Sequence, residues 1–292
     1  LACVACAGCI GVIIPPSIPM VIYGVSTSTS ISAMFLAGFA PGIIIGVVLC
    51  FVCYFYCKKQ GWKGDDRKYT FKEKMKVVWD SKFALIEPVI ILGGIYGGIF
   101  TPTEAAAVAA VYAFICGVFI FRELNFGNIY KTIAAACSTN GTTMVIIGCA
   151  TAFTRVLTIQ QIPAMITQAI LNFSTNKVVI LILINILLLI VGCFMDTTPA
   201  MMVLSPILLP VATSLGLSPI HFGIIMVVNL AIGFITPPLG INLFVAARIG
   251  DVKLEVVCQG IIRFIIAMIV CLLAITFIPA ISEFLPRLSG ML

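Results

Sequence analysis

Apolar runs long enough to cross a bilayer, separated by short polar stretches, cover most of the chain. Two of these runs carry the same interruption 222 positions apart: Ile10–Tyr23 reads IGVIIPPSIPMVIY and Ile232–Val245 reads IGFITPPLGINLFV. In each, a glycine and a Pro-Pro pair sit inside an otherwise apolar helix. Proline lacks the backbone donor and clashes with the preceding turn, so the helix must break there. Lipid cannot satisfy the freed carbonyls, which must face protein or line a cavity. Interrupted hydrophobic segments at corresponding places in two halves of a chain point to the binding site of a secondary transporter.

The remaining pattern predicts the elements around these breaks. Residues 1–24 form the first broken helix and Ser26–Ser32 a turn. A continuous span over 33–57 follows, with Gly42 and Gly46 as a small face for close helix contact. Residues 58–82 are polar. Their second half, 69–79, sets Phe71, Met75, Val78 and Trp79 opposite a row of lysines, the pattern of a helix lying in the membrane interface. Thr101-Pro102-Thr103-Glu104 reads as a capped helix start after an apolar run. Residues 129–136 read as a short amphipathic stretch, and 142–157 as a separate span ending near Arg155. Ser174–Lys177 is a turn, 178–194 a strong span, and Met195–Pro199 a tip between two apolar pieces. The expected organisation is thus 1–57 as the end of a first repeat, 58–82 as a basic loop with an interfacial arm helix, and 83–292 as a second repeat. That repeat carries scaffold spans, a hairpin near 162–210, a broken helix over 220–246 and a last span over 254–285.

Composition makes this a membrane protein. Hydrophobic residues are 61%, charged residues 10% and the mean hydropathy is +1.20, where a soluble domain carries about 25% charge. The length allows on the order of ten crossings. Nine of the 17 basic residues fall between Lys58 and Lys82, which marks a cytoplasmic loop by the positive-inside rule rather than a nucleic-acid patch. The twelve cysteines are scattered through apolar runs, and Cys3, Cys6 and Cys9 have no His or carboxylate nearby, so they read as small packing residues. The chain opens at Leu1 inside an apolar stretch and is expected to be part of a longer protein.

Charges inside spans are candidate functional groups. Asp196 stands at the tip beside Thr197 and Thr198, either as a solute or cation contact or as a helix N-cap. At the breaks the candidate ligands are carbonyl oxygens, which suit a hard cation such as Na⁺, while the N-terminus of each second half-helix suits an anion. Ser17, Thr236 and Asn242 can add side-chain groups. Glu104 reads as a capping carboxylate, Arg155 as a residue reaching the headgroups, and His221, the single histidine, as a cap or packing residue. No nucleophile–base set, phosphate loop or metal cluster is apparent, which argues against an enzyme and against ATP-driven transport.

These motifs resemble a known family. Ile14–Gly24 resembles the first-repeat motif of the large membrane subunit of TRAP transporters, Gly98–Val108 (GIFTPTEAAAV) its central motif, and Pro219–Met226 with Gly233–Val245 its second-repeat motifs. The resemblance covers the whole chain and about the C-terminal two-thirds of such a subunit. It implies an all-α polytopic protein of the bacterial inner membrane, built as an inverted-repeat elevator with helical hairpins and broken helices. It also implies Na⁺-coupled import of a carboxylated solute, a C4-dicarboxylate or sialic acid. The partners it implies are a small membrane (Q) subunit, separate or fused, and an extracytoplasmic substrate-binding (P) protein, with no nucleic acid. Carried over, one sodium site uses carbonyls around Gly11, Ile14 and Pro15. The other uses Gly233, Thr236 and Pro237 with Met195 and Thr197, and the solute meets Ser17, Asp196 and Asn242. An acidic Asp196 facing an anion leans toward a polyhydroxylated acid such as sialic acid. The alternative class is an ion channel or a non-transporting membrane scaffold.

Overall fold

The computed structural model describes residues 1–62, 67, 70–173 and 176–292. The expected loop positions Lys63, Lys68 and Tyr69 and the turn positions Ser174 and Thr175 lie outside the described residues. The elements, all helical among the described residues, run α1 Ala2–Ile13, α2 Ile18–Thr27, α3 Ile31–Gln60, α4 Phe71–Asp80, α5 Lys82–Tyr96, α6 Pro102–Ile115, α7 Phe126–Ile159, α8 Ile162–Phe173, α9 Lys177–Phe194, α10 Thr197–Ser214, α11 Pro219–Gly233, α12 Ile241–Ile249, α13 Leu254–Phe277 and α14 Ala280–Leu288. A π-helical turn, Cys116–Ile120, extends α6. Among the described residues seven helices are long and apolar enough to cross a membrane, with α1 and α2 taken together as one. This is the all-α polytopic architecture that the hydropathy pattern predicts.

The chain divides into two compact units, Leu1–Gln60 with Ile146–Leu292, and Gly61–Val145. Of the segment 83–292, expected as a second repeat, the part from Ile146 onward packs with the N-terminal 60 residues.

The first unit is built around α11. Every residue from Ile220 to Gly233 is buried, as a helix apolar on all sides requires. Helices α9, α10, α1, α3 and α13 pack around it. The small face on α3 lies one turn earlier than the sequence pattern implies. A Cβ on Gly38 would meet the Ile13 carbonyl oxygen at 2.6 Å, and one on Gly42 would strike the Ile14 side chain, whereas Gly46 has only Ile10 at 3.7 Å. Gly38 and Gly42 let α3 approach the first break. The region expected to hold a hairpin resolves into α8, α9 and α10. Helix α9 lies along α11, while α10 lies along α2, α11 and α8.

In the second unit α4 carries no buried residue. The Glu73 carboxylate accepts from the Thr70 backbone N–H at 2.8 Å, completing a capping box at its start. Helices α5 and α6 fold back on each other through Gly97–Phe100, where Gly98 has φ +68°. The Tyr112 hydroxyl donates to the Phe83 carbonyl at 2.8 Å and closes this hairpin. The predicted Thr101–Glu104 capping box is present.

The separate pieces expected at 129–136 and 142–157 are one 34-residue helix, α7. The intervening Ser138–Gly141 are small or polar and interrupt the apolar pattern. In the helix Thr139, Thr142 and Thr143 each donate to the carbonyl four residues back, so their hydroxyls need no turn to be satisfied.

Candidate functional site: the paired helix breaks

The two breaks form locally as the prolines require. Helix α1 ends at Ile13. Ile14 turns extended (φ −81°, ψ 132°), and Ser17 is extended before α2, with Pro19 in the first turn. Helix α11 ends in a tightened turn, with Phe234, Ile235 and Thr236 each donating to the carbonyl three residues back at 3.1 Å. Gly240, at φ +39°, then starts α12, a backbone region that favours glycine. The Pro15–Pro16 and Pro237–Pro238 peptides are both cis.

Across the unit the two broken helices lie antiparallel. Leu1 packs on Gly250, and Asn242 Nδ2 donates to the Ala5 carbonyl at 3.1 Å. The Cys9 thiol donates to the Ala231 carbonyl at 3.1 Å, and the Tyr23 hydroxyl to the Pro219 carbonyl at 2.7 Å. Cys9 and Ala231 are equivalent positions of the repeat, 222 residues apart. A contact between equivalent residues of two antiparallel segments is compatible with an inverted repeat. Each break lies on the C-terminal side of that contact in its own copy, so the two point in opposite directions.

The predicted residues fall into two groups. The second break gathers against the end of α9. Leu239 donates its N–H to the Cys193 carbonyl at 3.1 Å, just before Met195–Thr197. The second break thus lies against the end of α9, which leads into Met195 and Thr197. The Thr236 hydroxyl donates to the Ile232 carbonyl at 2.8 Å, which leaves its lone pairs to accept. Gly233 has a second role: a Cβ there would run into the Gly192 backbone, with Gly192 Cα at 2.7 Å. Asp196 is exposed, and its Oδ1 accepts from the Thr197 N–H at 2.6 Å, which realises the N-cap alternative.

At the first break Gly11 is exposed with open space around it. Ile14 packs on Gly42, and Pro15 is buried. Ser17 is buried and donates to the Val12 carbonyl at 2.6 Å. Asn242, expected to meet solute, donates its amide N–H to the Ala5 carbonyl on α1 and lies beside Cys9. The antiparallel crossing sets Asn242 against Gly8, where an added Cβ would lie 2.8 Å from the Asn242 amide nitrogen.

A buried polar ladder behind the breaks was not singled out in sequence. Asn229 Nδ2 donates to Asn185 Oδ1 at 2.7 Å, and Asn185 Nδ2 to the Thr276 hydroxyl at 3.2 Å. His221 lies next along it, with Nδ1 2.7 Å from the Ser282 hydroxyl and Nε2 3.3 Å from the Thr276 carbonyl, the packing role expected of it. Ser218 and Arg287 bond the two oxygens of Glu283. Burial alone raises the Glu283 carboxyl, but the Ser218 hydroxyl, the Arg287 guanidinium and His221 outweigh it and hold the group below the usual carboxylate range. The available signal was a lone asparagine inside each of two apolar runs, which bilayer chemistry obliges to find a partner.

Comparison with known proteins places this geometry. The family described as "Tripartite ATP-independent periplasmic transporter, DctM component" matches residues 1–281. The chain is 50% identical over 283 residues to the isethionate TRAP transporter permease protein DctMQ of Oleidesulfovibrio alaskensis, covering 97% of this chain and 45% of that protein. It is 36% identical over 283 residues to the sialic acid TRAP transporter large permease protein SiaM of Vibrio cholerae (97% of this chain, 66% of that protein). It is 39% identical over 285 residues to the C4-dicarboxylate TRAP transporter large permease protein DctM of Pseudomonas aeruginosa (98% and 66%). The chain spans from under half to just under two thirds of the length of these relatives.

Proposed function

The chain belongs to the DctM component family of tripartite ATP-independent periplasmic transporters, and on that premise we propose that it is the Na⁺-coupled part of a permease importing a small organic anion. Membership makes it a multi-pass transport protein of the bacterial inner membrane. The observation that supports the coupling proposal is the contact between Cys9 and Ala231, equivalent positions of the two broken segments. One sodium ion takes carbonyls around Gly11, Ile14 and Pro15. A second takes Gly233, Thr236 and Pro237 with Met195 and Thr197. Ser17 and Asp196 meet the solute. The two half-helices then move as a transport domain against a scaffold, in the elevator manner.

For the solute, the isethionate relative at 50% identity favours a small hydroxylated sulfonate over sialic acid. A hydroxyl on the anion suits Asp196, which accepts hydrogen bonds but repels a carboxylate. A Q segment, fused as the DctMQ name of that relative implies, and an extracytoplasmic P protein complete the system.

The test is uptake of labelled isethionate, succinate and sialic acid into proteoliposomes holding the full permease, with its binding protein outside. Saturable, Na⁺-dependent uptake is expected, with isethionate preferred. Uptake unchanged in Na⁺-free buffer defeats the coupling, and non-saturable flux favours a channel. Thr236→Val is expected to weaken the Na⁺ dependence, whereas Thr213→Val, whose hydroxyl donates to the Leu209 carbonyl, leaves it unchanged. Equal effects would remove Thr236 from the ion site.

A further inference from the structure

A cavity of about 590 Å³ lies between α7 and the α2–α10 pair, inside the first unit and apart from both breaks. Its α7 wall is the face formed by Ile147, Thr151, Thr154, Arg155 and Thr158, and Ser26 and Met202 stand opposite. Arg155 makes no ion pair or hydrogen bond among the described residues. It is exposed about one turn before the end of α7, and an unpaired charge on an apolar helix is a candidate functional position.

Thr154 is the second observation. Five other threonines on α7, at 139, 142, 143, 151 and 158, donate to the carbonyl four residues back. Thr154 does not, and its buried Oγ1 has no partner among the described residues. Because that hydroxyl has no bond to lose, turning its χ1 toward the cavity breaks no hydrogen bond and sets a free donor beside the unpaired guanidinium. No Asp or Glu lines the cavity, which disfavours a cation. The volume suits an organic anion of several heavy atoms rather than a bare halide.

We infer that this cavity binds a small carboxylate or sulfonate, with Arg155 as the charged anchor and Thr154 donating a hydrogen bond to the anion. Arg155 offers paired N–H donors that match two oxygens of such a group. That this anion is the transported solute, held at a station separate from the breaks, rests on the transport reading. The anion binding itself does not. A phospholipid headgroup presents the same anionic oxygens, and its occupancy would overturn the inference.

The experiment uses the full permease in phosphatidylcholine nanodiscs. Saturation binding of labelled isethionate and of labelled succinate is measured in Na⁺-free buffer, where solute held at the cation-dependent breaks does not contribute. At least one of the two is expected to bind the wild type. Arg155→Gln weakens that binding about tenfold to a hundredfold, and Thr154→Val about three- to tenfold. Arg155→Lys retains part of it, and Thr143→Val leaves it unchanged. If Arg155→Gln does not fold, Thr154→Val and Arg155→Lys decide. Wild-type affinity in Arg155→Gln, or no binding of either anion to the wild type, overturns the inference. So does native mass spectrometry showing that Arg155→Gln loses bound phosphatidylglycerol while keeping the soluble anions. Binding that depends on Arg155 in a protein that moves no anion into vesicles would sink the transport reading and leave this site standing.

Discussion

Substituting Gly233 by alanine separates two roles that its position combines. The carbonyl remains in the variant, so any ion contact made by the backbone is still available. What changes is the crossing of α9 and α11. The added Cβ would lie 2.7 Å from Gly192 Cα and closer still to the Gly192 carbonyl. Both neighbours are backbone, which cannot rotate away, so the helices must part by about 1 Å. Overpacking of this kind costs about 1–3 kcal/mol, with rigid backbone favouring the upper end. At about 2–4 °C per kcal/mol, that is roughly 5–10 °C in the unfolding midpoint. The mirror substitution supplies the control. A Cβ on Gly192 meets nothing nearer than 3.4 Å, so Gly192→Ala is expected within about 1 kcal/mol of wild type. Thermal unfolding of the two variants in detergent, followed by intrinsic fluorescence, reads the difference. Gly233→Ala unfolding no lower than Gly192→Ala would refute the crossing role. Lost Na⁺ dependence with an unchanged midpoint would assign Gly233 to the ion alone.

Asn242→Ala removes the donor to the Ala5 carbonyl and should cost about 0.5–1.5 kcal/mol in the same assay. A variant of wild-type stability but weakened solute affinity would restore Asn242 to the solute contacts instead. Because Glu283 is held below its ordinary value, its stabilising contribution is complete above about pH 4.3 and is lost as pH falls through the lowered folded value. Acid-unfolding profiles should therefore show Glu283→Gln less stable than wild type at neutral pH, with the gap closing in acid. A gap that stays constant with pH would remove Glu283 from the acid response.

The broken helices were legible because proline and glycine act on their own backbone. The double prolines Pro15-Pro16 and Pro237-Pro238 interrupt their helices, whereas the single prolines Pro41, Pro88, Pro206 and Pro210 are carried inside α3, α5 and α10. The Thr101–Glu104 cap was legible for the same local reason. Helix α7 was not, because Ser138 to Gly141 interrupt the apolar pattern, and only the structure shows the threonine hydroxyls bonded to their own helix. Gly38 and Gly233 act through neighbours distant in sequence, Ile13 and Gly192, so their spacing carries no mark of the contact. Asn185 and Asn229 announce only that each needs a partner, and tertiary structure alone says that the partner is the other. Asn242 illustrates the limit most directly. Its place after the break suggested a solute contact, while the antiparallel crossing gave its amide to Ala5.

The meeting of Cys9 with Ala231 bears on how such a chain can diversify. In a symmetric pair of identical segments, the residue on the axis meets its own copy, so any enlargement is felt twice. Both residues here are small. Joining the copies in one polypeptide lifts that self-complementarity, since each position can now change alone. Away from this contact the copies differ, with Ile14 against Thr236 and Met20 against Asn242. At the contact both residues are small, so the seam admits close approach while the flanking positions differ in chemistry between the two copies.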